Sequence, residues 1–231
     1  MKNLIFQQLF ESESSTFTYI LADRVTREAV MIDPVLEKVD RDLQLIKELD
    51  LKLLYILETH VHADHITGAG KIADATGAQI ALSSEANIEG SFKALKEGDV
   101  IRFGQYEIKV LTTPGHTNSC LCFLMSDRVF TGDTLMIRAN GRTDFQEGSA
   151  KSLYENVRTK LFVLPDETLV YPAHDYKGFT SSTIGDEKKH NVRLNQQRKL
   201  EDFVQIMADL KLPPPKKLDV AVPANLKLGR V

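Results

Sequence analysis

The sequence predicts an α/β protein with two sheets, or two halves, in a single domain, and three observations support this prediction. Short segments rich in β-branched and aromatic residues alternate along the chain with segments of helical period. The chain has 231 residues, a length that suits one domain, and no stretch has the composition of a linker. Its content of 42% hydrophobic and 26% charged residues is typical of a globular protein with a large core.

The first half of the chain predicts strands separated by two helices. Apolar residues at helical spacing predict the first helix over 39–49. A second helix over 67–76 ends at Gly77, the residue type most common after a helix. The predicted strands are the segments with β-branched, aromatic or continuous apolar residues: 16–21, 29–33, 51–57 and 79–82.

The second half repeats this pattern. A helix over 151–161 is predicted to end before Pro165. A longer polar helix over 187–210 ends before Pro213 and the two prolines after it, because proline cannot continue a helix. We therefore expect one domain over 1–231 with a short C-terminal extension. The remaining predicted strands are 99–103, 106–112, 120–125, 128–132 and 169–171.

Charge and targeting signals exclude several classes of protein. The net charge is -3, from 29 basic and 32 acidic residues, so no basic excess indicates binding to nucleic acid or to an anionic membrane. No apolar stretch approaches the ~20 residues of a membrane helix. The first eleven residues lack the long apolar region of a signal peptide. We expect a soluble cytoplasmic protein, and both a monomer and a homodimer stay open.

Candidate metal ligands gather at the ends of predicted strands. Three histidines and one aspartate lie within six residues, directly after the strand at 51–57. Imidazole and carboxylate groups both bind metal ions, and open α/β sheets place their ligands beyond the carboxyl ends of the strands. The sequence therefore predicts a metal site. The candidates are His60, His62, Asp64, His65, His116, Asp133 and His174.

The order and spacing of these residues resemble the metallo-β-lactamase superfamily over about residues 15–180. This resemblance implies a four-layer αββα sandwich with the metal site at one edge of the paired sheets. One alternative that it implies is a dizinc thioester hydrolase of the glyoxalase II type. In that dinuclear pattern, the first metal would be held by His60, His62 and His116. The second would be held by Asp64, His65 and His174, and Asp133 would bridge the two metals.

Segments around the ligands resemble a narrower family, the persulfide dioxygenases, over nearly the whole chain. These segments are 59–68, 141–146, 172–176 and 222–225. The resemblance implies one Fe(II) per chain, held by His60, His116 and Asp133, with the other four candidates supporting those ligands through hydrogen bonds. It also implies the substrates, glutathione persulfide and O2, and the products, sulfite and glutathione. Glyoxalase II carries a longer helical C-terminal part, which disfavours that alternative.

The chemistry of the implied ligands suits iron. Two histidines and one carboxylate on one face of Fe(II) leave coordination positions open for substrates, as in non-haem oxygenases. Zinc has no accessible redox change, so it cannot support oxidation of a persulfide by O2. The residues alone leave one metal and two metals as alternatives.

Candidate substrate contacts follow from the same resemblance. Glutathione carries two carboxylates, and guanidinium groups bind carboxylates well. Arg142, in a loop shortly after Asp133, is the first candidate, and an ion pair between Arg142 and Asp144 is the alternative. Arg138 is a weaker candidate, with an exposed structural role as its alternative. The phenol of Tyr176 is predicted to donate a hydrogen bond to bound oxygen or sulfur, or else to pack as an aromatic residue.

The two cysteines leave a third function open. Cys120 and Cys122 lie two residues apart on a predicted strand and so share one face. Our first interpretation is that both are small buried residues. The alternative is a non-catalytic sensor that uses the two thiols with a bound metal.

Overall fold

The computed structural model describes residues 2–215 and 217–230, and its centre is a pair of six-stranded sheets packed face to face. Helices cover the outer face of each sheet, so the layers run helix, sheet, sheet, helix. This arrangement confirms the four-layer αββα sandwich. Within the described ranges, no helix is long and apolar enough to cross a membrane.

The first sheet is built in chain order, with each strand beside the one before it. Its first three strands are antiparallel, and the rest run parallel to the third. Helices α1 (Val39–Glu48) and α2 (Ala69–Thr76) form two of the crossovers that parallel strands require. The strands are β1 (Leu4–Glu11), β2 (Thr16–Asp23), β3 (Glu28–Ile32), β4 (Lys52–Leu57), β5 (Gln79–Ser83) and β6 (Lys93–Leu95).

The second sheet has the order β12-β11-β10-β9-β8-β7, and only β10 and β11 are parallel neighbours. Its strands are β7 (Val100–Phe103), β8 (Tyr106–Thr112), β9 (Leu121–Leu124), β10 (Arg128–Gly132), β11 (Leu169–Pro172) and β12 (Ser182–Thr183). The helices of this half are α3 (Ala150–Asn156), which continues as a π-helical turn (Val157–Leu161), α4 (Ile184–His190), α5 (Leu200–Asp209) and α6 (Leu218–Asn225).

Strand β2 shows how the sandwich is packed, because every residue of it is buried. Ile20 and Ala22 face the cluster under α1 and α2, while Tyr19 and Leu21 face the second sheet. Successive side chains of a strand point to opposite faces, so a strand covered on both sides must be apolar on both. That requirement explains the continuous apolar stretch in the sequence.

Aromatic side chains fill the space between the two sheets. Tyr19, Phe103, Phe123 and Phe130 are almost fully buried there, and the rings of Tyr19 and Phe130 lie edge to face with centroids 4.9 Å apart. Burial of one such side chain contributes roughly 1.5–3 kcal/mol. The core therefore holds the two sheets together and fixes the edge at which their strand ends meet.

The single helix predicted over 187–210 is wrong, because α4 and α5 are separated by a turn. Asn191 is the residue that ends α4. Its buried side-chain oxygen accepts hydrogen bonds from the amides of Arg193 and Leu194, at 3.1 and 2.9 Å. Such local side-chain bonds to the backbone compete with the helical bonds and end the helix here.

Four elements lie outside the predicted set: β1, β6, β12 and α6. Gln7 and Gln8 interrupt the apolar pattern of β1, which is tolerated because β1 is an edge strand with one neighbour. Strands β6 and β12 have three and two residues, too few for a recognisable alternation. Helix α6 contains Pro223, a residue that predicts a break rather than a helix.

Candidate metal centre

The predicted ligands come together at the sheet edge where β4, β10 and β11 end. The amide of Leu121 donates to the carbonyl of Thr59 at 2.7 Å and so joins the two sheets beside the first histidines. The amide of Ala173 donates to the carbonyl of Gly132 at 3.0 Å and aligns the ends of β10 and β11. These backbone hydrogen bonds thus tie the four chain segments that carry the ligands together in two pairs.

His60, His116 and Asp133 form one compact group. Each offers one ligand atom, and the three atoms lie within 4.8 Å of one another. His116 Nε2 lies 3.6 Å from Asp133 Oδ2. Two imidazoles and one carboxylate at such distances make a donor set that fits a single divalent ion.

The hydrogen bonds of Thr59 determine which nitrogen of His60 is free. Thr59 Oγ1 donates to Asp33 Oδ2 at 2.8 Å, so it accepts the hydrogen bond from His60 Nδ1 at 3.0 Å. With its proton on Nδ1, the imidazole has its lone pair on Nε2. Asp33 also accepts from the Thr59 amide at 2.7 Å, which holds this arrangement rigidly. His60 is therefore oriented to bind a metal through Nε2.

His116 is oriented in the same way by the backbone of the 141–146 loop. Its Nδ1 donates to the carbonyl oxygen of Arg142 at 2.6 Å, which leaves the lone pair on Nε2. The loop can approach this closely because residue 141 is glycine. A Cβ atom at Gly141 would lie 2.8 Å from both His116 Nδ1 and the Cβ of Asp133. The glycine thus allows the loop to support two ligands at once.

The ring of His62 lies 4.0 Å from that of His60 between centroids, and its Nε2 is directed toward two buried carboxylates. Its Nε2 lies 3.3 Å from Asp33 Oδ1 and 3.6 Å from Glu58 Oε2. His62 is nevertheless within reach of a second ion, because it forms another group of potential ligand atoms with Asp64 and His65, again within 4.8 Å. The geometry therefore accommodates one metal or two.

His65 and His174 meet at one hydroxyl group. Their Nδ1 atoms each lie 3.3 Å from Thr16 Oγ1, at the start of β2. His174 Nε2 in turn lies 3.7 Å from Asp64 Oδ2 and 3.8 Å from Asp133 Oδ1. The start of β2 thus positions both rings against the carboxylates of the cluster.

Burial and mutual repulsion keep two of the histidines neutral. Burial, together with the nearby imidazoles, holds the pKa of His60 and the pKa of His62 well below the usual value. Burial opposes ionisation of Asp64 as well, but His174 and His65 outweigh it and hold the pKa of Asp64 well below its usual value. Neutral imidazoles and an ionised carboxylate are the forms that bind metal ions.

Several buried polar atoms of the cluster fit a bound ion. Among the described residues, His62 Nδ1 and Nε2, His65 Nε2 and Asp133 Oδ1 are buried and have no hydrogen-bond partner. Leaving a buried polar atom unsatisfied typically costs about 1–3 kcal/mol. A metal ion held by His60, His116 and Asp133 would satisfy Asp133 Oδ1, so these residues fit the metal that their donor set predicts. The orphaned atoms of His62 and His65 belong to the second group of potential ligands and fit a second ion.

Arg142 forms the ion pair that was the alternative to a substrate contact. Its Nε and one terminal nitrogen donate to the two carboxylate oxygens of Asp144, at 2.7 and 2.8 Å. The other terminal nitrogen donates to the carbonyl of Pro213 at 2.7 Å, and the guanidinium lies 4.3 Å from the ring centroid of Phe145. Substrate binding by Arg142 stays a prediction, and it would have to compete with these contacts.

Arg138 is held by a buried carboxylate. It donates to Glu187 Oε1 at 2.6 Å, and Glu187 is fully buried at the start of the 184–190 helix. Removing the Arg138 side chain would leave the buried charge of Glu187 without a cation, with only neutral donors such as Ser182 and Asn191 beside it, which is costly. A structural role therefore accounts for Arg138, although it is less exposed than the sequence indicated.

Tyr176 lies at the mouth of the cluster. Its ring is stacked on His174, with centroids 6.1 Å apart and an angle of 10° between the planes, and the residue is 69% exposed. Desolvation of the phenol and the negative charges of Asp133 and Asp64 raise the pKa of Tyr176 above its usual value. The hydroxyl keeps its proton at neutral pH and can donate a hydrogen bond at the entrance.

Cys120 and Cys122 are both buried and unpaired. Burial raises the pKa of Cys120 to about 12 and that of Cys122 to about 11. Thiolates, not thiols, bind metals and react with oxidants. The two cysteines therefore match the interpretation as small buried residues, and the structure supplies no support for a thiol sensor.

Sequence reasoning assigned no role to three residues that support the centre: Asp33, Glu58 and Asn225, the last of which it noted only within the segment 222–225. Asp33 directly follows the apolar run of β3, the same strand-end position that singled out Asp133. Glu58 similarly follows β4. Asp33 has no histidine near it in the sequence, whereas Glu58 lies two residues before His60, so the second signal was available. Asn225 lies about 160 residues from the loop that it contacts, so local spacing could not connect the two.

The fold and the ligand cluster agree with a known superfamily. The model of the metallo-beta-lactamase superfamily matches residues 13–174, which contain every predicted ligand. The chain belongs to the metallo-β-lactamase superfamily, and within it to the persulfide dioxygenases. The second assignment follows from whole-chain similarity to curated members of that family.

Three relatives illustrate this similarity. The chain is 50% identical over 229 residues to the human mitochondrial persulfide dioxygenase ETHE1, covering 98% of this chain and 89% of the relative. The crystal structure of ETHE1 from Myxococcus xanthus is 53% identical, with a TM-score of 0.95 and coverage of 98% and 100%. Glyoxylase B2 of Dictyostelium discoideum is 29% identical over 262 residues, covering 96% of this chain and 89% of the relative.

Proposed function

We propose that this chain is an iron-dependent glutathione persulfide dioxygenase. It converts glutathione persulfide, O2 and water to glutathione and sulfite, with release of two protons. The observation that carries the proposal is the group of His60, His116 and Asp133 in a chain that belongs to the persulfide dioxygenases. This donor set is typical of non-haem Fe(II) oxygenases.

The protein's own residues would hold one Fe(II). His60 and His116 would each offer Nε2, since the hydrogen bonds of Thr59 and of the Arg142 carbonyl hold the protons on Nδ1. Asp133 would offer a carboxylate oxygen. When bound, Fe(II) supplies the redox chemistry that lets O2 oxidise a sulfur atom. His62, Asp64, His65 and His174 would surround these ligands without coordinating the ion, and His174 Nε2 lies 3.8 Å from Asp133 Oδ1.

Tyr176 is proposed to contact the substrate. Its protonated hydroxyl lies at the mouth of the cluster, near the negative charges of Asp133 and Asp64. A neutral donor at this point can bind an anionic persulfide sulfur, whereas an ionised phenol would repel it. The ring lies parallel to that of His174, with the centroids 6.1 Å apart, which places it beside the cluster.

A dizinc thioester hydrolase is the second candidate function. The observation that favours it is the additional group of His62, Asp64 and His65, which places potential ligand atoms within 4.8 Å of one another. Two zinc ions could then share the full set of histidines and aspartates. This candidate differs from the first in metal content and in its independence of O2.

Metal content and O2 uptake test the proposal together. Protein produced anaerobically with iron is expected to bind about one Fe(II) per chain, the number that one facial triad holds. It should consume O2 only when glutathione persulfide is added, as measured by an oxygen electrode and by elemental analysis of the same sample. Two tightly bound zinc ions, with thioester hydrolysis that needs no O2, would replace the proposal with the hydrolase.

Arg142→Ala and Asp144→Asn distinguish a structural ion pair from a substrate contact. If the pair positions the loop whose carbonyl orients His116, either variant should weaken Fe(II) binding, roughly tenfold for a supporting residue. The double variant should then be no worse than the single ones, because both remove the same interaction.

A substrate contact would give a different result for this pair. Arg142→Ala alone would raise KM with kcat and iron content unchanged, and Asp144→Asn would leave KM unchanged or lower it. Steady-state kinetics on samples with measured iron content separates the two outcomes.

We also propose a cytoplasmic location. The support is that both cysteines are unpaired, as is common in a reducing compartment. The human relative is mitochondrial by its name. The homodimer stays a prediction that light scattering would test.

A further inference from the structure

The side chain of Asn225 lies against the loop that carries the first histidines. Its Oδ1 accepts a hydrogen bond from the amide of Thr67 at 2.9 Å. Its Nδ2 donates to the carbonyl oxygens of His62 and His65, at 2.8 and 2.9 Å. The residue is 5% exposed. One buried amide group thus holds three backbone positions of the ligand loop.

These bonds use both hydrogens of the Asn225 amide and one lone pair of its oxygen. They matter because the loop at 58–68 has no helix or strand of its own to pair its backbone groups. Buried backbone carbonyls need partners, and those of His62 and His65 find the same one. The distance between these two residues is therefore set by a side chain from the other end of the chain.

Asn225 is itself firmly anchored. It is the last residue of α6, and the segment that follows packs onto the first half of the chain. The amides of Glu89 and Gly70 donate to the carbonyls of Leu226 and Leu228, at 2.8 and 2.9 Å. Leu228 is 2% exposed and belongs to the core under α1 and α2.

The close fit of this segment extends to Gly229. This glycine has a φ of 69°, and a side chain on it would collide with the carbonyl oxygen of Thr67. Only a residue without a Cβ atom lets the segment lie so near the loop. The contact is therefore specific to this segment and not a general packing of apolar surfaces.

We propose that Asn225 is a positioning residue of the metal centre. It holds the backbone between His62 and His65, and so the shape of the loop that carries the ligand His60, and it acts through that loop without touching the ion. This inference depends on one part of the proposed function, namely that the 58–68 loop belongs to a metal site. The same coupling makes the C-terminal segment part of the metal site.

Asn225→Ala and Asn225→Asp test the proposal, with Val220→Ala as the control. The aspartate is nearly isosteric and keeps an acceptor for Thr67, but it turns a carboxylate oxygen toward the two carbonyls. Val220 lies on the same helix and is 61% exposed. Both Asn225 variants are expected to raise the Kd for Fe(II), measured by competition with a chelator, roughly 10–100-fold. Val220→Ala should match the wild type.

The visible absorption spectrum of the Co(II)-loaded protein separates positioning from a purely structural role. At saturating Co(II), a shifted ligand loop should change the ligand-field bands in both Asn225 variants and not in Val220→Ala. If the variants melt at lower temperature but keep the wild-type Fe(II) affinity and Co(II) spectrum, the proposal is wrong. A wild-type chain that binds neither ion would instead contradict the proposed function.

If neither Asn225 variant folds, hydrogen exchange of the wild-type protein tests the coupling between the C-terminal segment and the 58–68 loop. Metal loading is expected to slow exchange of the Thr67 amide and of amides at 226–229, because the loop and the C-terminal segment are tightened together. Slower exchange in the loop alone, with the C-terminal segment unchanged, would contradict the coupling.

Discussion

Asp133→Ala is expected to lose iron and turnover together while the two sheets stay folded. Asp133 is the only carboxylate of the proposed triad, so its removal takes away the negative charge that offsets the charge of Fe(II). The loss should exceed the roughly 10–100-fold effect typical of residues that only support ligands. Elemental analysis and persulfide-dependent O2 uptake measure the two losses.

The fold should survive this change for a specific reason. Asp133 Oδ1 has no hydrogen-bond partner among the described residues. The hydrogen bond from the Gly141 amide is accepted by the backbone carbonyl of Asp133, which the substitution keeps. The cores on both sides of the sheets stay intact. Thermal melting in EDTA should therefore be nearly unchanged, while the stabilisation of the wild type by added iron disappears.

Asp127→Ala is the matched control for Asp133→Ala. Asp127 precedes β10 and Asp133 follows it, so the two carboxylates lie at opposite ends of one strand. Asp127 forms an ion pair with Arg128 at 2.8 Å. This pair lies at the end of β10 opposite to the end that carries Asp133. Full iron content and activity are expected for this variant. An iron-replete, active Asp133→Ala would rule out Asp133 as a ligand.

Four histidine variants are expected to divide into two pairs. His60→Ala and His116→Ala should lose metal and activity, because each removes an Nε2 lone pair of the triad. His65→Ala and His174→Ala should keep substantial iron and show O2 uptake reduced roughly 10–100-fold, as expected for residues that orient ligands. Titration with Fe(II) on all four variants makes the comparison.

Folding controls are needed because the histidines also hold their loops. His65 and His174 share the Thr16 hydroxyl, so Thr16→Val shows how much of their effect comes from that shared contact. Each variant should be melted in EDTA beside the wild type. If all four lose metal equally with folding intact, one metal per chain is the wrong assignment and the dizinc hydrolase gains.

Predictability of the fold varied with the length and regularity of each element. The segments at 51–57 and 106–112 have clear strand patterns, and both form strands close to the predicted bounds. The prediction failed over 187–210, where the side chain of Asn191 ends a helix that the polar pattern continues. It also missed β1, whose position at the sheet edge lets it keep a polar face.

The sequence by itself determined the chemistry of the centre and the family. The spacing of His60, His62, Asp64 and His65 after one strand, with further ligands after others, identified a metal site, because strand ends of a sheet meet at one edge. Side-chain type alone tells which atoms can bind a metal. Local sequence also placed Arg142 beside Asp144, although it left the choice between ion pair and substrate contact open.

Only the tertiary structure decided which atoms are free to bind a metal and what holds them in place. The free nitrogens of His60 and His116 depend on hydrogen bonds to Asp33, through Thr59, and to the Arg142 carbonyl. The shape of the loop at 58–68 depends on Asn225, near the other end of the chain. Hydrogen bonds act over about 3 Å in space, whatever the separation along the chain, so partners this distant meet only when the sandwich is assembled.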